Sequence, residues 1–398
     1  MISVSEAQSV ISRFHAPFLS EELSVYEAAG RRLAHDLKAS RPYPPFDRVT
    51  MDGIAIRHSE TIRAWKIVGT QLAGDPPLNL SMADADAAVE IMTGCALPLG
   101  ADTIIRYEDL QMADDGKSCK LKDDKELVRG VNIHREGSDA AQGSLLLKAG
   151  HRLAPCDIPV LLSEGFEKME VFKSASAGLL ITGNELAGVS DSPLPWELRA
   201  SNHGSMVSSL RESGTDCSVI IAHDEKELLK DALSHLLETQ DFVVITGGVS
   251  KGKADFLPEV LKETGAEIHF HEVAQRPGKP MLFAVSPQGK PIFALPGNPV
   301  SSCLCFYFYV LPYVRSLSQE ARAIHSAILS ADYSFKPDLD LFLPVEIENS
   351  KGQLLAKPLP GNGSGDFLNL VKADGFLWMK SNQKPFRQGM DFPLIMLR

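Results

Sequence analysis

Apolar residues at Val4, Ala7, Val10, Ile11 and Phe14 recur with a period of about 3.6 residues. That spacing predicts a helical stretch over residues 3–35. The string RPYPPFD (41–47) follows, and its three prolines enforce extended chain, as at a domain boundary or crossover. Residues 54–130 then break into short runs, IAIR, WKIVG, AVEIMTG and DTIIRYED, separated by turn residues. They predict a small β-rich module. Residues 131–172 combine extended pieces with a helix near 155–164. From residue 175 buried strands and helical periods alternate. SAGLLITGNEL and DFVVITGG read as buried strands entering glycine loops, and SNHGSMVSSLRESG reads as a helix ended by Gly214. EKELLKDALSHLLET carries Leu228, Leu229, Leu233, Leu236 and Leu237 along one face. The alternation predicts an α/β domain with a mostly parallel sheet. After Ile324 the pattern becomes all-β, a small barrel or sandwich.

At about 100–200 residues per domain, 398 residues predict two to four domains. Lys and Arg number 40 against 51 Asp and Glu, a net charge of −11 that disfavours binding to a phosphate backbone. No nucleic-acid partner is expected. The six cysteines form no disulfide framework and no C-x-x-C pair, which predicts a reducing, cytoplasmic setting. The opening MISVSEAQSVISRF lacks a basic start followed by an apolar core, so no signal peptide is indicated. One stretch, 291–314, has no charged side chain and the length of a membrane span. Pro296, Gly297, Asn298 and Pro299 divide it into a strand, a turn and a buried helix with proline in its first turn, so no membrane partner is expected.

In α/β folds ligands bind outside the carboxyl ends of the strands. Three strand ends here carry suggestive residues. Thr182, Gly183, Asn184 and Glu185 end the first. Thr246, Gly247, Gly248, Val249 and Ser250, then Lys253 and Asp255, end the second. Leu295, Pro296, Gly297, Asn298 and Pro299 end the third and lead into Ser301 and Ser302. Glycines after a strand let backbone N–H groups approach an anion, and a following helix adds positive partial charge. A tight turn accounts for the same glycines. Neither a Walker A loop nor a G-x-G-x-x-G fingerprint is present. Arg276 and Lys279 flank a Pro-Gly pair that stiffens the direction of both cations, as for holding phosphate or an oxyanion; a solvated turn reads the same way. Glu185, Asp241 and Asp255 are the carboxylates near the strand ends. Mg²⁺ uses one or two such groups with substrate phosphates. Asp241 begins its strand, and Asp255 also suits a helix cap.

Seven strings, taken in order, resemble the molybdopterin molybdenumtransferases, the MoeA family that includes the gephyrin E domain. They are PPFDRVTMDGIA, MTGCALPLGADTIIRYED, NIHREGSDAAQGSLLLKAG, ITGNEL, TGGVSKGKADF, RPGKPMLFA and ALPGNPVSSCLCFYFYVLP. The resemblance runs from about residue 3 to the end, weakest over the final 75 residues, where NGSG at 362–365 carries it. It implies a multidomain α/β plus β fold. The expected parts are an elongated helical and extended domain (1–40 with 131–172), a small β-rich domain (41–130), a three-layer, Rossmann-like molybdopterin-binding domain (173–322) and a C-terminal β-barrel (323–398). It also implies insertion of molybdate into adenylylated molybdopterin with release of AMP, assisted by Mg²⁺, in a homodimer. A molybdopterin adenylyltransferase would act before it and apo-molybdoenzymes after it.

The resemblance assigns roles. Thr182, Gly183, Gly247, Gly248, Ser250, Lys253, Pro296, Gly297, Asn298, Pro299 and Ser301 would hold the nucleotide and phosphates, and Ser364 would complete the site. Arg276 and Lys279 would hold molybdate or the pterin phosphate. Glu185 and Asp255 would serve the metal, with Asp241 kept as a third candidate on its place beside the strands. Asp52 and Thr93 would come from the partner subunit. Asp139 matches the dimer-forming region. The chain departs from the family pattern at Arg48, Val49, Asn184, Lys251 and Arg276, which bears on molybdate against tungstate and on the ligand set. Molybdopterin adenylylation, or a scaffold that has lost catalysis, are the alternative readings.

Overall fold

The computed structural model describes residues 1–14, 19–249, 256–317 and 325–398. The chain forms two compact units, one of residues 1–34, 150–158 and 168–398, the other of residues 35–149 and 159–167.

The larger unit is built on a six-stranded sheet. Its order is Cys217–Ala222, Ala177–Thr182, Phe242–Thr246, Pro291–Leu295, Leu282–Val285, Glu267–His271. The first four strands are parallel and the last two antiparallel. Successive side chains of a strand face opposite sides, and both sides here are buried. Leu179, Ile181, Phe242 and Val244 enter one core, with helices Val4–Ile11, His203–Glu212 and Pro299–Cys305. Leu180, Val243 and Ile245 enter the other, with helices Lys226–Thr239 and Leu257–Glu263. This two-sided burial explains the continuous apolar runs of these strands, and it gives the three layers expected. In helix Lys226–Thr239 the buried face is Leu229, Leu233, Leu236 and Leu237, while Leu228 is exposed.

The helix expected over residues 3–35 is confined to Val4–Ile11. It starts at a capping box in which Glu6 N donates to Ser3 Oγ (3.2 Å) and Ser3 N to the Glu6 carboxylate (2.8 Å). Ser20–Ser24 is instead a strand paired antiparallel with Lys168–Phe172, a partner that local periodicity does not reveal. The C-terminal region closes into a barrel: strands Asp340–Ser350, Gln353–Pro358, His325–Leu329, Asp391–Met396 and Gly375–Met379 follow in order, and the last pairs with the first. Its Phe342 and Trp378 pack on Phe308, with centroids 4.8 and 5.3 Å away. Phe308 lies in a π-helical turn, Phe306–Val310, inside the run that begins at Pro299 and continues as Leu311–Ser316.

The smaller unit carries a second six-stranded sheet, in order Thr103–Arg106, Gly53–Ile56, Ala87–Ile91, Ala64–Gln71, Ser118–Leu121, Leu110–Met112. Short ladders join Arg48–Val49 to Ile133–His134 and Leu37–Lys38 to Leu145–Leu147. The β-rich reading of residues 54–130 matches these strands.

Candidate functional site

The carboxyl ends of the parallel strands bring three glycine turns together. Gly247 N donates to Leu295 O (3.1 Å), and a carbon added at Gly297 would lie 3.6 Å from Gly247 Cα. Gly247 has φ +101°, and a Cβ there would lie 2.2 Å from Thr182 O. The turn therefore requires glycine, and the chain approaches itself as closely as backbone allows. Thr182 is buried and its hydroxyl donates to Asp224. Asp224 N donates to Asn184 Oδ1 (2.9 Å). The Pro296–Pro299 turn is fastened from two sides. Asn202 Nδ2 donates to Gly297 O (2.6 Å), and Asn298 Nδ2 donates to Ser364 Oγ (2.9 Å) while Val300 N donates to Ser364 O (3.0 Å). Ser364 thus joins the cluster from the barrel region. Ser301 is only 4% exposed, in the first turn of the helix beneath.

Among the carboxylates, Glu185 is exposed beside Gly183, where a Cβ would meet its Oε2 at 2.8 Å. Asp241 is not brought to it. It sits at the amino end of its strand and accepts from Ser176 N (2.7 Å) and Ser176 Oγ (2.9 Å). A strand rise of about 3.3 Å per residue separates those two ends by roughly 17 Å. Ser250, Lys251, Lys253 and Asp255 lie outside the described residues. Among the described residues no three His, Cys, Asp or Glu side chains gather as a metal cage. A hard cation that borrows phosphate oxygens needs only one or two carboxylates. Glu185, with no side-chain hydrogen bond among the described residues, has the chemistry for that.

Arg276 and Lys279 are both exposed and make no side-chain hydrogen bond or ion pair among the described residues. Their loop is pinned from inside. Buried Gln275 donates to Pro277 O (3.1 Å) and accepts from the Tyr309 hydroxyl. Val273 N donates to Lys279 O (2.9 Å). Gly278 (φ +86°) passes so close to Cys305 that a Cβ would lie 2.6 Å from its Sγ. The cations are therefore carried on a loop with little freedom.

In the smaller unit, Thr93 N and Thr93 Oγ1 both donate to Asp52 Oδ1 at 2.7 Å. These two bonds hold the Asp52 carboxyl below its ordinary range. Nearby, Glu90 accepts from Tyr107 OH (2.7 Å) and Thr70 Oγ1 (2.8 Å), and Tyr107 N donates to Asp52 O (3.2 Å). Burial, then the Glu90 hydrogen bond and charge, push the Tyr107 hydroxyl far up. Arg48 contacts His134 Nδ1 (3.2 Å), and His134 Nε2 contacts Asp139 (2.7 Å).

The N-terminal 2–165 match the MoeA N-terminal region (domain I and II). Residues 178–316 match the probable molybdopterin binding domain, and 326–397 the MoeA C-terminal region (domain IV). A molybdopterin molybdenumtransferase of Synechocystis sp. is 34% identical over 400 residues, covering 99% of each chain. This chain belongs to the MoeA family. A Bacillus subtilis molybdopterin molybdenumtransferase is 28% identical, over 100% of this chain and 94% of its own. The crystal structure of a MoeA protein from Pyrococcus horikoshii superposes with a TM-score of 0.84 at 28% identity, covering 100% of this chain and 99% of its own. Within the MoeA pattern, the strand-end cluster falls in the central matched region, Ser364 in the C-terminal one, and Asp52 and Thr93 in the N-terminal one. Sequence reasoning missed Asp224, Gln275, Tyr309 and the Glu90–Tyr107 pair. Asp224 carried a usable signal, since it lies two residues past the end of strand Cys217–Ala222, much as Glu185 lies three past the end of Ala177–Thr182. Buried Gln275 carried none.

Proposed function

We propose that this chain is a molybdopterin molybdenumtransferase. It would take adenylylated molybdopterin and molybdate, place molybdenum at the dithiolene and release AMP. The observation that carries the reading is the meeting of three glycine turns beside two exposed cations on a pinned loop. A phosphate-bearing substrate and an oxyanion need both features. Backbone N–H groups of Gly248 and Gly297 would meet phosphate oxygens at no side-chain cost, while the Gly247 N–H ties the turn to Leu295 O. Lys279 would attract the molybdate dianion as a point charge, and Arg276 would orient it through its fork.

Mg²⁺, when bound, would draw charge from the phosphoanhydride as it breaks. Glu185 and Asp255 are its proposed protein ligands. Asp52 and Thr93 would be supplied by a second copy of the chain, making the homodimer the working form. A molybdopterin adenylyltransferase would precede it and apo-molybdoenzymes would receive the product, in the cytoplasm. Among the described residues no helix is long and apolar enough to cross a membrane. The names of the relatives favour this reading over adenylylation or a scaffold.

The test mixes purified protein with adenylylated molybdopterin, Mg²⁺ and either molybdate or tungstate. AMP release and reconstitution of an apo-molybdoenzyme are followed together. Oxyanion-dependent AMP release with reconstitution supports the reading, and its loss in Lys279→Ala supports the site. Tight substrate binding with neither outcome overturns the transferase in favour of a scaffold.

A further inference from the structure

A cavity of about 550 Å³ opens at the amino ends of the parallel strands. This is the opposite edge of the sheet from Thr182, Gly247 and Gly297. Small-molecule sites occupy about 300–1,000 Å³. One wall is the carboxyl half of the helical run from Pro299, presenting Tyr307, Leu311, Pro312 and Val314. The turn after helix His203–Glu212 and the segment leading into strand Ala177–Thr182 form the sides. Around this apolar wall stand Arg31, Arg32, Arg152, Lys173, Arg315 and Arg398. Glu212 is the one acidic side chain among the described lining residues. Arg31 is paired with Glu21 (2.5 Å), so the charge available to a ligand is carried chiefly by Arg152 and Lys173.

Several of these cations are oriented without being neutralised. Arg152 donates to Gly30 O (3.2 Å) and Glu212 O (3.3 Å), and Arg398 to Leu370 O (3.2 Å) and Val371 O (2.6 Å). Carbonyl acceptors fix a guanidinium's direction and leave its charge in place. Lys173 is exposed and makes no side-chain hydrogen bond or ion pair among the described residues. Tyr307 is held by a hydroxyl contact with Ser209 (2.8 Å), which steadies its ring in the wall. A flat apolar wall beside Arg152 and Lys173, neither of which meets a carboxylate among the described residues, suits a ligand with a ring at one end and a multiply charged anion at the other.

We propose that this cavity is a second ligand site, for a small ring-bearing phosphomonoester. The ring lies against Tyr307 and Pro312, and the phosphate dianion meets Lys173 and Arg152. This site stands whether or not the transferase reading holds, because none of its residues belongs to the strand-end cluster.

Phenyl phosphate is the probe, since it carries one ring, one phosphate and nothing else. The full chain, Lys173→Glu, Lys173→Gln and Lys279→Ala are titrated with it by calorimetry, and each is checked for folding by chemical unfolding. Lys173→Glu is expected to weaken one binding component about tenfold or more, Lys173→Gln less, while Lys279→Ala leaves that component intact. Inorganic phosphate is expected to bind the same component about tenfold more weakly, for want of the ring. A titration unchanged by both Lys173 variants overturns the site. So does loss of the same component in Lys279→Ala, which assigns the binding to the strand ends. Equal affinity for inorganic phosphate reduces the cavity to a counter-ion sink and overturns the ligand class.

Discussion

Adjacent glycines in the second strand-end turn allow the geometry to be tested with one substitution made twice. Gly247 (φ +101°) and Gly248 (φ +64°) both occupy backbone conformations that favour glycine. An L-residue there costs about 1–2 kcal/mol. The two sites differ in what a methyl group would meet. At Gly248 the nearest atoms are Leu257 Cβ and Thr182 Cγ2, both at 3.6 Å, which is ordinary contact. At Gly247 the methyl would sit 2.2 Å from Thr182 O and 3.0 Å from Thr182 Cγ2. A backbone carbonyl cannot swing aside as a side chain can, so the ends of strands Ala177–Thr182 and Phe242–Thr246 must part. Overpacking of this kind adds about 1–3 kcal/mol. Gly248→Ala should therefore cost about 1–2 kcal/mol and Gly247→Ala about 2–5 kcal/mol. Urea unfolding gives the ordering, and amide exchange in strand Phe242–Thr246 assigns the loss to this sheet rather than to the smaller unit. Equal costs, or a larger cost at Gly248, would refute the claim that the close approach of Gly247 to Thr182 decides the turn.

Two further outcomes follow from hydrogen bonds. Thr93→Val removes the hydroxyl donor to Asp52, so the carboxyl should titrate closer to its ordinary value, read by NMR of the side-chain carbon. The sign is definite: a lowered folded pKa contributes stability above the unfolded value of about 3.9 and loses it as the pH falls through the folded one. The wild type should thus lose this contribution in acid and the variant should have less to lose. Gln275→Met keeps the volume but strips the partners from Pro277 O and the Tyr309 hydroxyl. A buried group left unpaired costs about 1–3 kcal/mol. The loosened loop should raise the KM for molybdate more than it lowers kcat, and an unchanged KM would dissociate Gln275 from the cations it carries.

What was legible in the sequence was whatever repeats locally. The strands entering glycine turns announced themselves because a strand buried on both sides must be apolar throughout, as in FVVIT. The helix at Lys226–Thr239 showed its leucines, although Leu228 proved to lie off the buried face, which periodicity at single-residue resolution blurs. Ser20–Ser24 was misread as helix because its pairing partner is distant in sequence. Asp241 was kept among the metal ligands although the sequence already set it at the start of its strand, and the five residues of that strand carry it to the opposite end from Glu185. The Asp52–Thr93 pair came from family resemblance alone, since neither residue marks its partner. Gln275 was invisible because its meaning rests on Cys305 and Tyr309, which reach it only after the helix has folded over the loop.

The π-helical turn at Phe306–Val310 carries a consequence of phase. An α-helix advances about 100° per residue, and one wide turn admits an extra residue without bending the axis. The face that Pro299–Cys305 presents to the core is therefore offset by about 100° from the face a regular count would assign beyond Val310. One rod can thus serve two masters, the Pro296–Asn298 turn at its start and the cavity wall at its end, each with its own side. Beyond Val310 the chain therefore runs one residue ahead of a regular count, and Leu311 takes the side that an unbroken α-helix would give to the residue before it. In this segment the length of the chain is as much a specification as the identity of its side chains.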